Sequence, residues 1–505
     1  MLGERRARQT DYGAKPLATL TLTADPVTAG INPSQVEALR GWLAGRGVHL
    51  ASLDGNAVEE ALARPGLPAD ARRVLELRAL TGSASVKKLY AMDLQADRND
   101  RLRNLIVHHG ARTGRPTGEG PQPLNLPKAG PLLVWCVCGR PHRPDSLCPW
   151  CGGMERKPAK PAWKPEMIDH VLEIMAMRHL GMVERFFGDA MLAISGCVRG
   201  QFVAAPGHVL MASDYSSIEA VVAAEIAGET WRIEAFERGD PIYLVGASKI
   251  TGTPVTEYLA YHAQHGDHHP DRQRIGKVSE LACGFGGWIN SYKAFGSIED
   301  DAVIKQQILA WRAASPAIVE MWGGQTRGMP WDRDKRSELY GLEGMAIAAI
   351  MSPGTPYGYR GIGFVVERGK LVVTLPSGRQ LFYHEPMLSR SDKREGEQSI
   401  SFMTYNSNPK YGSVGWVRMG TYGGRLFENV VQAIAHDILR HALVLLRVAG
   451  YATVLHVYDE IVAEVPEGFG SLDEFEAIMG TMPAWATGWP IRASGGWVAR
   501  RYRKG

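Results

Sequence analysis

The sequence has few of the features that mark secreted, membrane or fibrous proteins. Only 6 of its 505 residues are cysteine, too few for a disulfide scaffold. No apolar run approaches the roughly 18 residues that a membrane span needs. The basic start MLGERRARQT is followed by no apolar stretch, so it does not predict a secretory signal. These absences predict a cytoplasmic protein with no membrane partner.

Net charge is also small. Lys and Arg number 57 against 53 Asp and Glu, a formal net charge of +4. That balance does not by itself indicate a nucleic-acid-binding protein, although a local basic groove is compatible with it. With 45% hydrophobic and 22% charged residues the composition is globular, and the length suits roughly three domains.

The apolar pattern predicts an α+β multidomain protein. Helical periodicity dominates its first and middle parts, whereas alternating residues predict β-hairpins at 355–420, one of them turning at Arg368-Gly369. We expect a tail at 1–29 with a β-like patch at 17–22, then parts at 30–112, 113–134, 135–165, 166–228, 229–345 and 346–505.

Two acidic positions interrupt strands that are otherwise apolar. Asp214 ends HVLMASDYS, and Asp459 and Glu460 separate VLHV from IVAEV. If these strands meet in one sheet, Asp214 and Asp459 form a like-charge pair that favours a divalent cation, and carboxylates suit Mg²⁺. Two such ions make a device for phosphoryl transfer. The alternative is an ordinary strand end at 214 and a type I′ turn at 458–459.

A third segment, DRQRIGKVSELACGFGGW at 271–288, combines cations with apolar residues. Helical spacing puts Arg274, Lys277 and Leu281 on one face, followed by Phe285. Such a face suits a triphosphate beside a flat base. A solvated basic helix would need a polar opposite face, and this segment is too apolar for that.

These three segments, in this order, resemble motifs A, B and C of the family A (polymerase I-like) DNA polymerases, in particular the replicative enzymes of bacteriophages. Two flanks, HHGARTGRPTG with PQPLNLP and ENVVQAIAHDIL, resemble the family's DNA-gripping segments. The resemblance covers about residues 30 to 505. It implies a right-hand fold with a thumb at 30–112, a DNA-gripping segment at 113–134, a palm at 166–228 and 346–505, and fingers at 229–345.

The resemblance also implies the chemistry. Asp214, Asp459 and the backbone carbonyl of Tyr215 would hold two Mg²⁺ ions, and Glu460 would support them. The primer 3′-hydroxyl would attack the α-phosphate of a dNTP, and Lys277 would protonate the departing pyrophosphate. Arg274 would hold the triphosphate with Lys277.

The resemblance also implies which residues would recognise the nucleotide and the DNA. Glu219 matches the steric gate, a carboxylate placed where a ribose 2′-hydroxyl would lie. Leu281 and Phe285 would contact the incoming nucleotide. The expected contacts to primer–template DNA are Arg115, Asn125, Gln432 and Tyr458, which recognise shape rather than sequence.

The sequence departs from the family pattern at several positions. Val221 follows Glu219-Ala220 where the family has arginine, and Gln273 replaces the first motif B arginine, so that Arg274, or Arg272 after a small helix shift, would cover for it. Leu281 replaces an aromatic residue and Tyr458 a histidine. Phe285 replaces a tyrosine, and it cannot donate a hydrogen bond to Glu219.

Four cysteines form a pattern outside the polymerase motifs. Cys136, Cys138, Cys148 and Cys151 give C-x-C-x9-C-x2-C, which predicts one structural Zn²⁺ in a knuckle at 135–165. Reduced core cysteines or a redox pair are the alternatives. The segment is basic, with a local charge of +4, which suits either DNA contact or a solvated surface. Cys197 and Cys283 are expected to be core residues.

The sequence predicts neither a second cluster of metal ligands nor a proofreading exonuclease. His262, His265, His268 and His269 fall in a predicted loop that has no clear supporting carboxylate pattern, so a solvated loop is favoured over a second metal site. Residues 1–110 contain no Asp-x-Glu, so a 3′–5′ exonuclease is not expected. A separate exonuclease or processivity subunit could supply what this chain lacks.

Three functions are therefore compared. The first is a template-directed DNA polymerase acting in phage replication in the host cytoplasm. The second is a single-subunit RNA polymerase, which Glu219 disfavours because its carboxylate would meet the 2′-hydroxyl. The third is a non-catalytic zinc-containing DNA-binding scaffold, which the retained acids Asp214 and Asp459 disfavour.

Overall fold

The computed structural model describes residues 35–81, 84–323, 340–390, 398–407 and 412–503. The expected tail at 1–29 and its β-like patch lie outside these ranges. Two compact units are distinguished: Met1–Leu105 with Gly118–Val203 and Arg501–Lys504, and Ile106–Thr117 with Ala204–Arg500 and Gly505. Within the described ranges, no helix is both long and apolar enough to cross a membrane.

The first unit is mainly helical and has two small cores. One core packs Leu39, Leu43 and Leu75, because apolar residues recur every three or four positions in its helices. The other surrounds Val171 and Phe187. The helices are α1 (Val36–Ala44), α2 (Gly55–Leu62), α3 (Ala69–Thr81), α4 (Ala84–Gln95), α5 (Ile168–Met175), α6 (Leu180–Phe187) and α7 (Ala190–Cys197).

Short strands lie between α4 and α5 along the chain. β1 (Ile106–Val107) and β2 (Thr117–Gly118) fall in the segment that is rich in turn formers, and β3 (Val134–Trp135) pairs antiparallel with β4 (Pro141–His142). Of these strands, β1 and Thr117 of β2 belong to the second unit. The little regular structure between 113 and 134 agrees with the proline and glycine content there.

A four-stranded antiparallel sheet organises the second unit. Its strands are β5 (His208–Tyr215), β12 (Ala452–Val457), β13 (Glu460–Pro466) and β14 (Ala493–Ala499), in the order β12-β13-β5-β14. β5 is therefore central, and its run Leu210–Ser213 is buried as its apolar sequence predicts. The pairing brings the two acid-bearing strands side by side.

A second sheet is a six-stranded meander. Its strands are β6 (Tyr357–Tyr359), β7 (Ile362–Glu367), β8 (Lys370–Thr374), β9 (Gln380–Arg390), β10 (Gln398–Asn406) and β11 (Gly415–Thr421). The turn between β7 and β8 is the predicted one: Arg368 and Gly369 both have positive φ, at 50° and 72°, as a type I′ hairpin requires.

Helices surround both sheets of the second unit. They are α8 (Ile218–Ala227), α9 (Thr230–Arg238), α10 (Ile242–Thr251), α11 (Val255–His265), a π-helix at Arg272–Lys277, α12 (Val278–Cys283), α13 (Ile289–Ala294), α14 (Asp301–Ala314), α15 (Pro316–Trp322), α16 (Gly341–Met351), α17 (Gly423–Val448) and α18 (Leu472–Met479). The long α17 contributes a buried face that includes Phe427, Val431 and Ile438 to the main core.

Candidate active site

The acidic residues of the first and third motifs lie on adjacent strands. Glu460 is paired directly with Asp214 in the register of β13 and β5. Asp459 occupies a two-residue hairpin turn with Tyr458, whose φ of 54° is left-handed. The backbone N–H of Tyr215 donates to the carbonyl of Asp459 over 3.0 Å. Backbone pairing thus holds the ends of the two motifs together.

Burial distinguishes these residues from one another. Asp214 and Asp459 are half-buried, whereas Glu460 is 2% exposed. The Tyr215 side chain is buried, and its hydroxyl donates to the carbonyl of Met479 over 2.8 Å. Burial raises the pKa of this phenol above its ordinary range. The side chain of Tyr215 is therefore part of the packing, and any ligand role falls to its backbone carbonyl.

Arg115 and Glu219, expected to act on different substrates, contact each other. Nη2 of Arg115 donates to Oε1 of Glu219 at the start of α8. The guanidinium carbon also lies 5.8 Å from the ring centroid of Tyr458, within cation–π range. Nε2 of Gln432 donates to Oε1 of Glu428 over 3.3 Å. Predicted DNA contacts thus take part in a carboxylate network.

Glu428 is a member of this network that the sequence did not reveal. Burial raises the pKa of its carboxyl group, and the negative charge of Glu219 raises it further. The positive charges of Arg425 and Arg115 act in the opposite direction. The one signal in the sequence is that Glu428 lies among apolar residues in the helical pattern of α17.

A cavity of about 440 Å³ adjoins the end of the first motif. Arg272 and Arg492 supply guanidinium groups to its lining, and Tyr243 and Ser217 supply hydroxyl groups. The Arg272 guanidinium carbon lies 5.4 Å from the Tyr243 ring centroid. The N-termini of α8 and α10 border the cavity, and helix N-termini favour anions. The lining also includes the carboxylate of Asp240, but its two guanidinium groups and two helix N-termini outnumber that one negative group, which suits a polyanion.

The cations of the second motif separate into two groups. Arg274 points to acids: its guanidinium contacts Asp271 over 3.1 Å and Glu299 over 3.0 Å. Arg272 instead lines the cavity, and Lys277 is half-buried at the end of the π-helix. The π-helix has a wider angular spacing per turn than the straight α-helix on which the prediction of a shared face for Arg274 and Lys277 was based.

Buried interactions fix the helix that follows. Arg232 and Glu280 form an ion pair, and Nε1 of Trp311 donates to Glu280 over 3.2 Å. The Arg232 side chain is 1% exposed. Leu281, one residue on, is 43% exposed, whereas Phe285 is half-buried with its ring 5.9 Å from that of Phe427.

The remaining predicted DNA contacts lie at the surface. Asn125 is exposed at the end of a 3₁₀ turn, Pro123–Asn125, in the first unit. Tyr458 is 39% exposed in the second unit.

The four knuckle cysteines form one cluster. Their sulfur atoms all lie within 4.8 Å of one another, with Cys136–Cys151 at 3.6 Å and Cys138–Cys148 at 3.7 Å. Four thiolates around Zn²⁺ at about 2.3 Å would be about 3.8 Å apart, so the donor set fits tetrahedral zinc. It is the single potential metal-binding group of three or more Cys, His, Asp or Glu residues in the described ranges.

Hydrogen bonding and burial shift the pKa values of these thiols in opposite directions. A hydrogen bond from the Cys138 backbone lowers the pKa of Cys136 to about 7. Desolvation raises the pKa of Cys138 to about 12 and also raises that of Cys148. Cys197 and Cys283 are buried in the cores, as predicted.

Part of the knuckle's basic charge is already paired. Arg140 contacts Glu173 over 2.8 Å and stacks on Trp150, with 3.9 Å from its guanidinium carbon to the ring centroid. Arg143 pairs with Asp145. The Trp150 ring packs on Phe186 at 4.7 Å. The knuckle is thus packed against α5 and α6.

The histidine segment is only partly a loop. His262 and His265 lie in α11, and the prediction that all four histidines are in a loop was wrong for these two. Ring contacts pair His262 with His268 at 4.7 Å and Tyr261 with His265 at 4.2 Å. The helix forms because Val255–His265 contains good helix formers up to Gly266, whose φ of 69° ends it.

The fold is that of a polymerase I-like polymerase domain. The solved POL domain of Pol1 from M. smegmatis, in complex with DNA primer-template and dNTP, superimposes with a TM-score of 0.51 at 15% sequence identity, covering 99% of this chain and 65% of that one. At that identity the likeness concerns the fold alone. No family model matches the chain.

By sequence the chain is similar to proteins named DNA polymerase. The DNA polymerase of Bacillus phage SP02 is 33% identical over 491 residues, which is 96% of this chain and 65% of the relative. DNA polymerase I of Rhizobium leguminosarum is 41% identical over 58 residues, 12% of this chain and 6% of that protein. These relatives confirm the resemblance to the polymerase I-like family A enzymes. The chain spans 65% of the length of the phage relative.

Proposed function

We propose that the chain is a template-directed DNA polymerase that adds deoxynucleotides to a primer 3′-hydroxyl. The observation that carries this proposal is the register of β5 and β13, which puts Asp214 opposite Glu460 and beside the turn that holds Asp459. Like-charged carboxylates on adjacent strand ends favour a divalent cation between them. A polyanion-compatible cavity next to them suits a nucleotide triphosphate.

Asp214, Asp459 and the carbonyl of Tyr215 would hold two Mg²⁺ ions, supported by Glu460. Bound Mg²⁺ supplies an activated 3′-hydroxyl and charge stabilisation for the leaving group. The donor set is all oxygen, as Mg²⁺ prefers.

The cavity would receive the triphosphate. Arg272, with its guanidinium against Tyr243, takes the role that the sequence left open between Arg272 and Arg274, because Arg274 is engaged with Asp271 and Glu299. Lys277 would donate the proton to departing pyrophosphate, and Leu281 and Phe285 would contact the base and sugar of the nucleotide.

The right-hand parts are proposed accordingly. The sheet β12-β13-β5-β14 would be the palm, the helices within 229–345 the fingers, and the helices within 30–112 the thumb. Primer–template DNA would contact Arg115, Asn125, Gln432 and Tyr458. The M. smegmatis domain was solved with primer-template and dNTP, which supports these partners.

One structural Zn²⁺ is proposed for Cys136, Cys138, Cys148 and Cys151. The sulfur distances support it, and a closed four-thiolate site leaves no position for a substrate. Bound zinc would fold a segment too small to have a core of its own. The host cytoplasm is the proposed location for a phage-encoded enzyme.

Primer extension on a defined template with Mg²⁺ tests the proposal. We expect incorporation of dNTPs in preference to NTPs, and loss of extension in Asp214→Ala and in Asp459→Ala. Preference for NTPs would instead indicate the RNA polymerase alternative. DNA binding without extension by the wild-type chain would indicate a non-catalytic scaffold.

A further inference from the structure

Arg115 is shared by two carboxylates in the second unit. Its Nη2 donates to Glu219, and its charge is one of those that lower the pKa of Glu428, which burial and the charge of Glu219 raise. The Arg115 side chain is 14% exposed and that of Glu219 is 35% exposed. The cation is therefore more enclosed than the carboxylate that it holds.

Two neighbouring carboxylates repel each other unless a cation lies between them. Glu428 has a second partner, because Gln432 donates to its Oε1. Glu219 is a third exposed, and a glutamate with that much solvent access can adopt several rotamers unless it is anchored. Arg115 supplies that anchor, in a charge-assisted hydrogen bond.

The position of Arg115 is itself fixed. Its guanidinium lies near the ring of Tyr458, whose left-handed backbone conformation is set by the hairpin between β12 and β13. Arg115 thus links the start of α8 to the turn that carries Asp459. A shift of Arg115 would move Glu219 relative to the paired acids.

We propose that Arg115 is a positioning residue for sugar selection: it holds the Glu219 carboxylate in the one orientation that excludes a ribose 2′-hydroxyl. The inference rests on the proposed polymerase function. It gives Glu219 an anchor within this chain. A carboxylate that is free to swing aside would admit the larger sugar.

Single-nucleotide incorporation with dNTP and NTP, each giving kcat/KM, measures the discrimination ratio. Arg115→Ala should lower this ratio about tenfold or more, because it removes one charge-assisted hydrogen bond to Glu219. A tenfold change corresponds to about 1.4 kcal/mol. Arg115→Lys keeps the charge but not the planar fork, so its ratio should be intermediate. If Arg115→Ala folds poorly by thermal unfolding, Arg115→Lys carries the test.

A double-mutant cycle separates this role from a contact to the primer. In a Glu219→Ala background, Arg115→Ala should leave the ratio within about twofold, because the group through which it acts is gone. A primer contact would slow dNTP and NTP incorporation equally in both backgrounds. Arg418→Ala is the control, since Arg418 donates to the carbonyl of Glu385 over 3.0 Å in the six-stranded sheet and should leave the ratio unchanged.

Two results would overturn the inference: an unchanged ratio in both Arg115 variants, or an equal change in the presence and absence of Glu219. Failure of the proposed function looks different, since the wild-type chain would then incorporate neither nucleotide.

Discussion

Glu460 lies directly opposite Asp214 across the pairing of β13 and β5, and it is 2% exposed whereas Asp214 is half-buried. The more buried carboxylate is thus the one expected to support the metal site rather than to bind the ions directly. Its position depends on backbone hydrogen bonds on a central strand, not on a mobile loop.

Glu460→Gln should lower the primer-extension rate about tenfold and raise the Mg²⁺ concentration needed for half-maximal rate. The amide keeps the shape but removes a negative charge that helps to attract divalent ions. A Mg²⁺ titration of the extension rate measures both effects. Glu464→Gln, four residues along the same strand and bonded to the Ala205 backbone, is the control. Equal Mg²⁺ dependence in the two variants would contradict the assignment.

Removing one knuckle thiol should release the metal. Cys148→Ser is expected to lower zinc content from about one ion per chain to near zero and to lower the melting temperature, because the proposed zinc would stabilise the segment 135–165. Elemental analysis with thermal unfolding provides the measurement. Cys197→Ser, at a buried thiol outside the cluster, should keep its zinc. Full metal content in Cys148→Ser would exclude the four-thiolate site.

Substitution of Arg272 and of Arg274, the two candidate triphosphate ligands, should have different effects on the KM for dNTP. Arg272→Ala is expected to raise the KM for dNTP about tenfold, since it removes a guanidinium from the cavity lining. Arg274→Ala should change KM by less than about threefold, because Arg274 is paired with Asp271 and Glu299. Steady-state kinetics at saturating primer–template compares them. The reverse order of effects would return the role to Arg274.

Two buried histidines should make the second unit sensitive to acid. Burial lowers the pKa of His436 to about 3 and that of His456 to about 4, and nearby positive charges, including those of Arg379 and Arg440, add to the effect at His436. In the unfolded chain both titrate near 6.5. The unfolded state therefore binds more protons below pH 6.5, so stability falls as the pH falls from 6.5 towards 4.

Between pH 6.5 and pH 5 the free energy of unfolding of the wild type should fall because of His436. In His436→Leu this fall should be smaller by about 1.5–2 kcal/mol. Urea unfolding across that pH range measures the slope. His49→Leu, at an exposed position, serves as the control and should leave the slope unchanged. A slope that is the same in His436→Leu and in the wild type would show that His436 is not the group that titrates.

Elements with strong local signals were predictable from the sequence. Apolar patterns predicted the strand that carries Asp214 and the long helix α17. Turn residues between apolar runs indicated the hairpins at Tyr458-Asp459 and Arg368-Gly369. The cysteine spacing predicted a cluster, and the four sulfur atoms do lie together.

Interactions between distant segments were not predictable in this way. Arg115 and Glu219 are far apart in the chain, and nothing in either local pattern indicates that they pair. The π-helix at Arg272–Lys277 is likewise a consequence of packing, because adding a Cβ to Gly276 would collide with the carbonyl of Tyr243 in α10.

The central position of β5 also has a consequence for synthesis. Its neighbours on either side, β13 and β14, begin roughly 245 and 278 residues after β5 ends, so at about 5–20 residues per second the strand is made on the order of tens of seconds before either partner. Its apolar run must meanwhile be covered by nearby helices such as α8. The paired acids therefore come together only after Glu460 has been synthesised, and a nascent chain interrupted before that residue has no assembled site.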